Sequence, residues 1–362
     1  MGHLAVRRLL EHATALGVGS GMAASFGKLD DLQSGTDSND FYVGSTSHFA
    51  DALPVTEKTY FDLASLTKIL STTTLAMKRY DQGTLNLDQT LSVNPSFSSI
   101  RIKDLLTHAS GLPAWKPFYE EMKSHFGVSL PYVSLVERKK KFDELLYRSV
   151  PENPPLSKVI YSDLGFLMLA NLLSRDFKTD VESMWAAMKI EHLHFRPVLT
   201  DAFTARARSK QRGESIAATE FCPWRGLLVG QVHDDNAWSS GGIAGHAGSF
   251  GHLNDIKAWL HAIFLGPFLS RSTLEIFTRE AVSISGIRRA LGFDMPSEDG
   301  SGSTGFSFSR NTVGHLGYTG TSLWVDLDSG DYAILLTNRV HPSRADVRIR
   351  ELRREFHRLV RA

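Results

Sequence analysis

The stretch Thr59-Tyr60-Phe61-Asp62-Leu63-Ala64-Ser65-Leu66-Thr67-Lys68-Ile69-Leu70 decides how this chain is read. A serine hydroxyl is a weak nucleophile near neutral pH and needs a base beside it. On a helix, residues three apart share a face, so Lys68 lies one turn from Ser65 and can point at its Oγ. If Ser65 opens that helix, its backbone N–H has no intrahelical partner and can face an oxyanion. Ser65-Leu66-Thr67-Lys68 therefore offers a nucleophile, a candidate base and half an oxyanion hole. The same residues also fit a plain N-cap serine followed by a surface lysine. The rest of the chain has to arbitrate.

Two further segments do so. Tyr161-Ser162-Asp163 precedes a long apolar helical run, Leu164–Leu173, and Gly314-His315-Leu316-Gly317-Tyr318-Thr319-Gly320-Thr321 opens the strand-like Ser322–Asp326. In that order they resemble S-x-x-K, Y-x-N and K-T-G, the three active-site elements of the serine β-lactamase and penicillin-binding-protein superfamily. The closer resemblance is to the branch holding class C β-lactamases, DD-peptidases and β-lactamase-like esterases. Leu105–Pro113, Val232–Ala237 and Gly241–Gly248 resemble that branch too, and the likeness runs from near Met22 to near Asn338.

The resemblance implies an α+β, β-lactamase/transpeptidase-like fold: an antiparallel sheet drawn from both chain ends, flanked by helices, with an inserted all-helical domain. The expected division is residues 1–60 with 268–362 for the sheet domain and 61–267 for the helical insertion carrying the Ser65 helix. It makes Ser65 the nucleophile and Lys68 and Tyr161 its catalytic partners, with the backbone N–H groups of Ser65 and Tyr318 as the oxyanion hole. Asp163, His315 and Gly317 become substrate-binding positions. Whether Lys68 or Tyr161 is the main base stays open.

Three departures from the family pattern matter. Asp163 stands where asparagine is usual; a carboxylate only accepts hydrogen bonds, and near Lys68 it favours the ammonium and shifts the base role to Tyr161, whose pKa the ammonium would lower. Asp163 also fits a helix N-cap. His315 replaces a lysine and is expected to be partly cationic at neutral pH, donating to a substrate carboxylate or to Tyr161. Leu316 removes a threonine hydroxyl. Together the last two argue against efficient β-lactamase activity, leaving β-lactams as acylating ligands.

With 362 residues, 42% hydrophobic and 22% charged, the chain has the size and composition of an ordinary globular protein. A formal net charge of +1 gives no reason to invoke nucleic acid or an anionic membrane. Cys222 is the only cysteine, so no intrachain disulfide is possible, and it reads as a small buried hydrophobe. Met1–Leu16 lacks the unbroken apolar run of a signal peptide and reads instead as an amphipathic helix with Leu4, Leu9, Leu10, Ala13 and Leu16 on its apolar face. No stretch has the length of a membrane span. The expectation is a cytoplasmic protein, or a periplasmic one where a leader has been removed.

Strands are expected at Gly21–Phe26, Asp40–Gly44, Val313–Gly317, Ser322–Asp326 and Tyr332–Thr337, with a polar turn segment over Lys28–Asn39. Helices are expected at Phe142–Val150, Asp163–Asp176, Val181–Ile190 and Arg344–Arg361, the last with Val347, Leu352, Phe356 and Leu359 inward and its arginines in solvent. His108, His233 and His246 lack metal-ligand spacing and read, with Asp234, Asp235 and Asn236, as loop-fixing groups, so no metal or other cofactor is expected. No lysine follows Gly241–Gly248 as in a P-loop, and no G-x-S-x-G elbow occurs. The functional expectation is a serine hydrolase working through an acyl-enzyme on a small-molecule or short-peptide amide or ester. The substrate class is cell-wall-derived peptides, in the manner of D-alanyl-D-alanine carboxypeptidases or a muropeptide-recycling N-acetylmuramyl-L-alanine amidase. A promiscuous carboxylesterase and a penicillin-binding sensor that is acylated without turnover are the alternatives.

Overall fold

Alternation along the strands builds two cores, one on each face of a single sheet. The computed structural model of the protein describes residues 2–34, 39–92, 95–176 and 215–361; the helix expected at Val181–Ile190 lies outside them. Five antiparallel strands follow one another across the sheet in the order Thr312–Leu316, Ser322–Asp326, Asp331–Thr337, Gly21–Lys28, Asn39–Gly44. The N-terminal hairpin is thus hydrogen-bonded onto the C-terminal meander, as the sequence led us to expect.

Successive side chains of a strand point to opposite faces. Met22, Ala24, Trp324, Ala333 and Leu335 enter one apolar cluster with Val6 and Leu10 of the helix Gly2–Ala15 and Leu352 and Phe356 of the helix Ile349–Val360. Their neighbours Ala23, Leu323, Val325, Ile334 and Leu336 enter the main core with Ile69, Leu70, Leu164 and Trp259. Central strands covered on both sides have to be apolar at nearly every position, and Asp331–Thr337 is buried from its second residue onward.

Several boundaries move. The polar segment after Lys28 contains a short helix, Leu29–Ser34, and the helix expected at Phe142–Val150 starts earlier, at Leu135–Tyr147, where Ser134 caps it by accepting from Glu137 N–H. On the first helix the buried face is Val6, Leu10 and Ala13, while Leu4 and Leu16 are exposed. On the last helix Leu352 and Phe356 point inward as expected, but Val347 lies before it and is exposed. Cys222 is buried, as read from its chemistry. No helix among the described residues is long and apolar enough to cross a membrane.

Candidate active site

The chain enters the site from the short strand Thr59–Asp62 and turns sharply at Ala64, which sits at φ +46°. A non-glycine residue in that region is strained by about 1–3 kcal/mol and persists only where its surroundings enforce it. Asp62 supplies the enforcement: its buried carboxylate accepts from Ala64 N–H at 2.8 Å and from His233 N–H at 2.7 Å. The turn delivers Ser65 to the start of a helix whose first regular segment, Lys68–Thr73, is wound as a π-helix before continuing as the α-helix Thr74–Asp81. Among the described residues no hydrogen bond uses Ser65 N–H, whereas Leu66, Thr67 and Lys68 N–H all bond back to Leu63, Ala64 and Ser65 carbonyls.

Lys68 is wholly buried. Its Nζ lies 3.1 Å from Ser65 Oγ, 2.7 Å from Asp163 Oδ1 and 3.3 Å from the His246 carbonyl. Burial alone would lower the lysine pKa. The charge of Asp163 above all outweighs it and holds Lys68 above its ordinary value, so it stands as an ammonium. The Tyr161 ring centroid is 4.8 Å from Nζ, and its hydroxyl lies close enough to Lys68 and Ser65 for both to act on its pKa. Here the expectation needs correcting. Lys68 does pull the phenol's pKa down, but burial, helped by Asp163, wins, and the net direction is up.

Asp163 is not the helix cap. Ser162 is: its Oγ accepts from Gly165 N–H at 3.2 Å and donates to the Pro113 carbonyl at 2.7 Å. Asp163 is the first helical residue, with its carboxylate on Lys68 and its N–H on the Ala114 carbonyl at 2.9 Å. His108 Nδ1 accepts from Ser162 N–H at 2.9 Å, the loop-fixing role expected of it.

His315 also departs from expectation. Its Nδ1 is 2.7 Å from the Leu316 carbonyl, an oxygen that can only accept, so Nδ1 carries the proton. Burial, with Lys68 and Arg289 nearby, drives its pKa well down. The imidazole is neutral, and its buried Nε2 has no partner among the described residues and presents a lone pair. It accepts where a cation and donor was expected.

Gly317 does what a glycine was wanted for. A Cβ there would lie 2.0 Å from Thr321 Oγ1 and 2.7 Å from the Leu63 carbonyl, so only glycine lets this turn lie against the Ser65 loop. Thr319 Oγ1 donates to the Asp62 carbonyl at 2.7 Å and Thr321 Oγ1 to that of Leu63 at 3.2 Å, stitching the two together. Arg353, buried on the last helix, bonds the Gly317, Gly320 and Thr321 carbonyls, and Arg339 Nε bonds the Tyr318 carbonyl at 2.7 Å. In a trans peptide the C=O and N–H point oppositely. Holding the Gly317 carbonyl toward Arg353 therefore turns Tyr318 N–H the other way, and among the described residues that N–H has no partner.

The glycine-rich Gly241–Gly248 segment lies along the same helix. Thr72 Oγ1 bonds the Gly245 carbonyl at 2.7 Å, and a Cβ on Gly245 would sit 2.3 Å from the Phe166 carbonyl. Asp234 caps the helix Asp235–Ser240 through Ala237 N–H and holds His246 Nε2 at 3.0 Å. Ligating atoms of Asp163, Asp234 and His246 come within 4.8 Å of one another, but the Lys68 ammonium already stands against Asp163 as the cation of this cluster. Sequence reasoning missed Asp62 and Arg353.

A serine, a buried lysine and a tyrosine thus meet on an α+β scaffold with two N–H groups that are unpaired among the described residues. The chain belongs to the β-lactamase family, whose model, described as Beta-lactamase, matches residues 36–358. It is a serine hydrolase of that family. It is 28% identical over 318 residues to an N-acetylmuramyl-L-alanine amidase of Bacillus subtilis (strain 168), covering 78% of this chain and 69% of that protein. It is also 28% identical over 328 residues to a protein of Escherichia coli (strain K12) named "Putative D-alanyl-D-alanine carboxypeptidase", covering 80% and 71%. Among solved structures, EstCE1, a hydrolase with promiscuous acyltransferase activity, matches with TM-score 0.72 at 17% identity over 99% of this chain and 98% of that one. The simvastatin synthase LovD of Aspergillus terreus matches at 0.71 and 18%, over 100% and 98%. Both show likeness of fold.

Proposed function

We propose that this protein hydrolyses an amide of a cell-wall-derived muropeptide through an acyl-enzyme on Ser65. The observation that carries the reading is the wholly buried Lys68, in contact with Ser65 and Asp163 and set 4.8 Å from the Tyr161 ring centroid. Lys68 as ammonium and Tyr161 as phenol hold one proton more than attack allows, so the reactive form is the pair with that proton removed. Tyr161 oxygen, beside both partners, then accepts the Ser65 proton as Oγ adds to the carbonyl. The oxyanion forms between Ser65 and Tyr318 N–H. Collapse breaks the C–N bond, the leaving amine takes the proton from Tyr161, and water attacks the Ser65 ester by the same route in reverse.

A carboxypeptidase has to grip a terminal carboxylate, and His315 offers it a lone pair instead of a cation. That favours the amidase-like reading over the carboxypeptidase-like one. It also favours a carboxylesterase as the second reading, since esters need no carboxylate grip. Intact-mass analysis with muropeptides, p-nitrophenyl esters and a penicillin tests this. Muropeptide turnover is the expected result. A stable penicillin adduct with no turnover of any substrate would make the protein a sensor.

A further inference from the structure

We propose that a shelf formed by Trp115 and Tyr119 beside the catalytic cluster is a subsite for the sugar ring of the substrate. This rests on the muropeptide reading and adds which part of the substrate is held, and by what.

The shelf is tied to the chemistry through the backbone. Ala114, next to Trp115, accepts the N–H of Asp163, whose carboxylate lies against Lys68. Asn236 clamps the segment from the other side: its Oδ1 accepts from Tyr119 N–H at 3.0 Å and its Nδ2 donates to the Lys116 carbonyl at 2.8 Å. Asn236 lies two residues beyond Asp234, the partner of His246, whose carbonyl touches Lys68. Tyr119 is backed by Trp224, stacked at 5.8 Å and 14°, and Trp115 lies 6.3 Å from Tyr119 with 45% of its surface exposed. A large aromatic left half in water on a segment bonded to the catalytic cluster is a surface waiting for a flat partner.

Contacts link the shelf to the second oxyanion donor. The ring of Tyr318, the half-exposed residue that carries that donor, stacks on His233 at 5.7 Å; the His233 carbonyl accepts from Arg225 at 2.6 Å, and the Arg225 guanidinium lies 5.3 Å from the Trp224 ring that backs Tyr119. Arg344 is not a free cation: Glu220 takes its Nε at 2.9 Å and 2.7 Å, and Asp235 lies 3.5 Å from its Nη2. Arg339 holds backbone carbonyls, and His315 is neutral. The rim thus combines aromatic faces with hydrogen-bonding side chains, and Lys123 Nζ, 4.5 Å from the Trp224 centroid and 5.9 Å from that of Tyr119, adds a donor. A plain alkyl chain leaves that polar edge unused. A pyranose ring, with C–H groups on its face and hydroxyls at its edge, uses both.

Isothermal titration on the non-turning Ser65→Ala protein tests this independently of catalysis. The probes are N-acetylmuramyl-L-alanyl-D-isoglutamine and the sugar-free L-alanyl-D-isoglutamine. The sugar-bearing probe should bind at least about tenfold tighter. Adding Trp115→Ala should remove that advantage, Trp115→Phe should keep part of it, and the sugar-free probe should be unaffected by either change. Equal binding of the two probes, or an advantage that survives Trp115→Ala, overturns the subsite. Loss of both probes equally on Trp115→Ala assigns the shelf to the peptide and overturns it too. Failure of wild-type protein to turn over any muropeptide would count against the muropeptide amidase reading, and the titration would still decide the subsite.

Discussion

The two N–H groups of the proposed oxyanion hole are positioned in opposite ways. Ser65 N–H is placed by its own neighbourhood: the left-handed Ala64, the Asp62 carboxylate two residues before it, and carbonyls three residues back. Tyr318 N–H is placed from afar, by Arg353 gripping the Gly317 carbonyl from 36 residues downstream and by threonine hydroxyls reaching to Asp62 and Leu63 across more than 250 positions of sequence separation. A locally built donor leaves a compact motif. A remotely built one leaves its own side chains free to change, and this explains how His315 and Leu316 can depart from the family pattern while the backbone donor keeps its place.

The strongest way to break this comparison is Ser65→Ala. It removes the nucleophile, and hydrolysis should fall by roughly a thousandfold or more with the thermal transition retained. Activity within about tenfold of wild type, about 1.4 kcal/mol of barrier, would remove Ser65 from the mechanism.

Tyr161→Phe should come next, with a loss in the range of about 10²–10⁴-fold expected for a general base. Asp163→Asn should lose less. Its negative charge favours keeping the proton on both Lys68 and Tyr161, so its removal should move the rising alkaline limb of kcat/KM to lower pH. A silent Tyr161→Phe beside a dead Lys68→Ala would assign the base to Lys68.

The remote half is sharpened by Arg353→Met, which frees the Gly317 peptide to rotate. We expect kcat to fall roughly tenfold to a hundredfold with KM little changed, since the donor is misaimed and not deleted, and Arg353→Lys should restore part of it. A raised KM with unchanged kcat would mean that Arg353 shapes binding alone. The smallest expected effect is from His315→Lys, which places a cation where the neutral imidazole stands. It should raise the rate of penicillin acylation several-fold from a low level. Wild-type cephalosporin turnover comparable to that of the best ester or muropeptide would contradict the reading of His315.

The sheet, the helix Asp163–Asp176 and the pairing of Ser65 with Lys68 were legible because each rests on short-range pattern: alternation, a long apolar run, i and i+3 spacing; Tyr161 came from the resemblance of Tyr161-Ser162-Asp163 to the family motif. What was not legible depends on partners far away in sequence. The direction of the Tyr161 shift needed the depth of burial, and the charge of His315 needed the carbonyl that fixes its tautomer. The cap went to Ser162 because its hydroxyl reaches Gly165 N–H, a competition between neighbours that sequence leaves undecided. Arg353 did leave a trace. Ile349, Leu352, Arg353 and Phe356 follow helical spacing, which puts one arginine on the apolar stripe of a helix otherwise read as solvated. Asp62 left only its position ahead of the serine.

The Arg353 clamp also sets an order of assembly during protein synthesis. Ser65, Lys68 and Tyr161 leave the ribosome long before the helix Ile349–Val360 exists to hold the Gly317 carbonyl. A nascent chain therefore carries its nucleophile and proton relay while the second oxyanion donor is still unaimed. On the roles proposed for these residues, the acyl chemistry reaches its full rate only once that helix has docked.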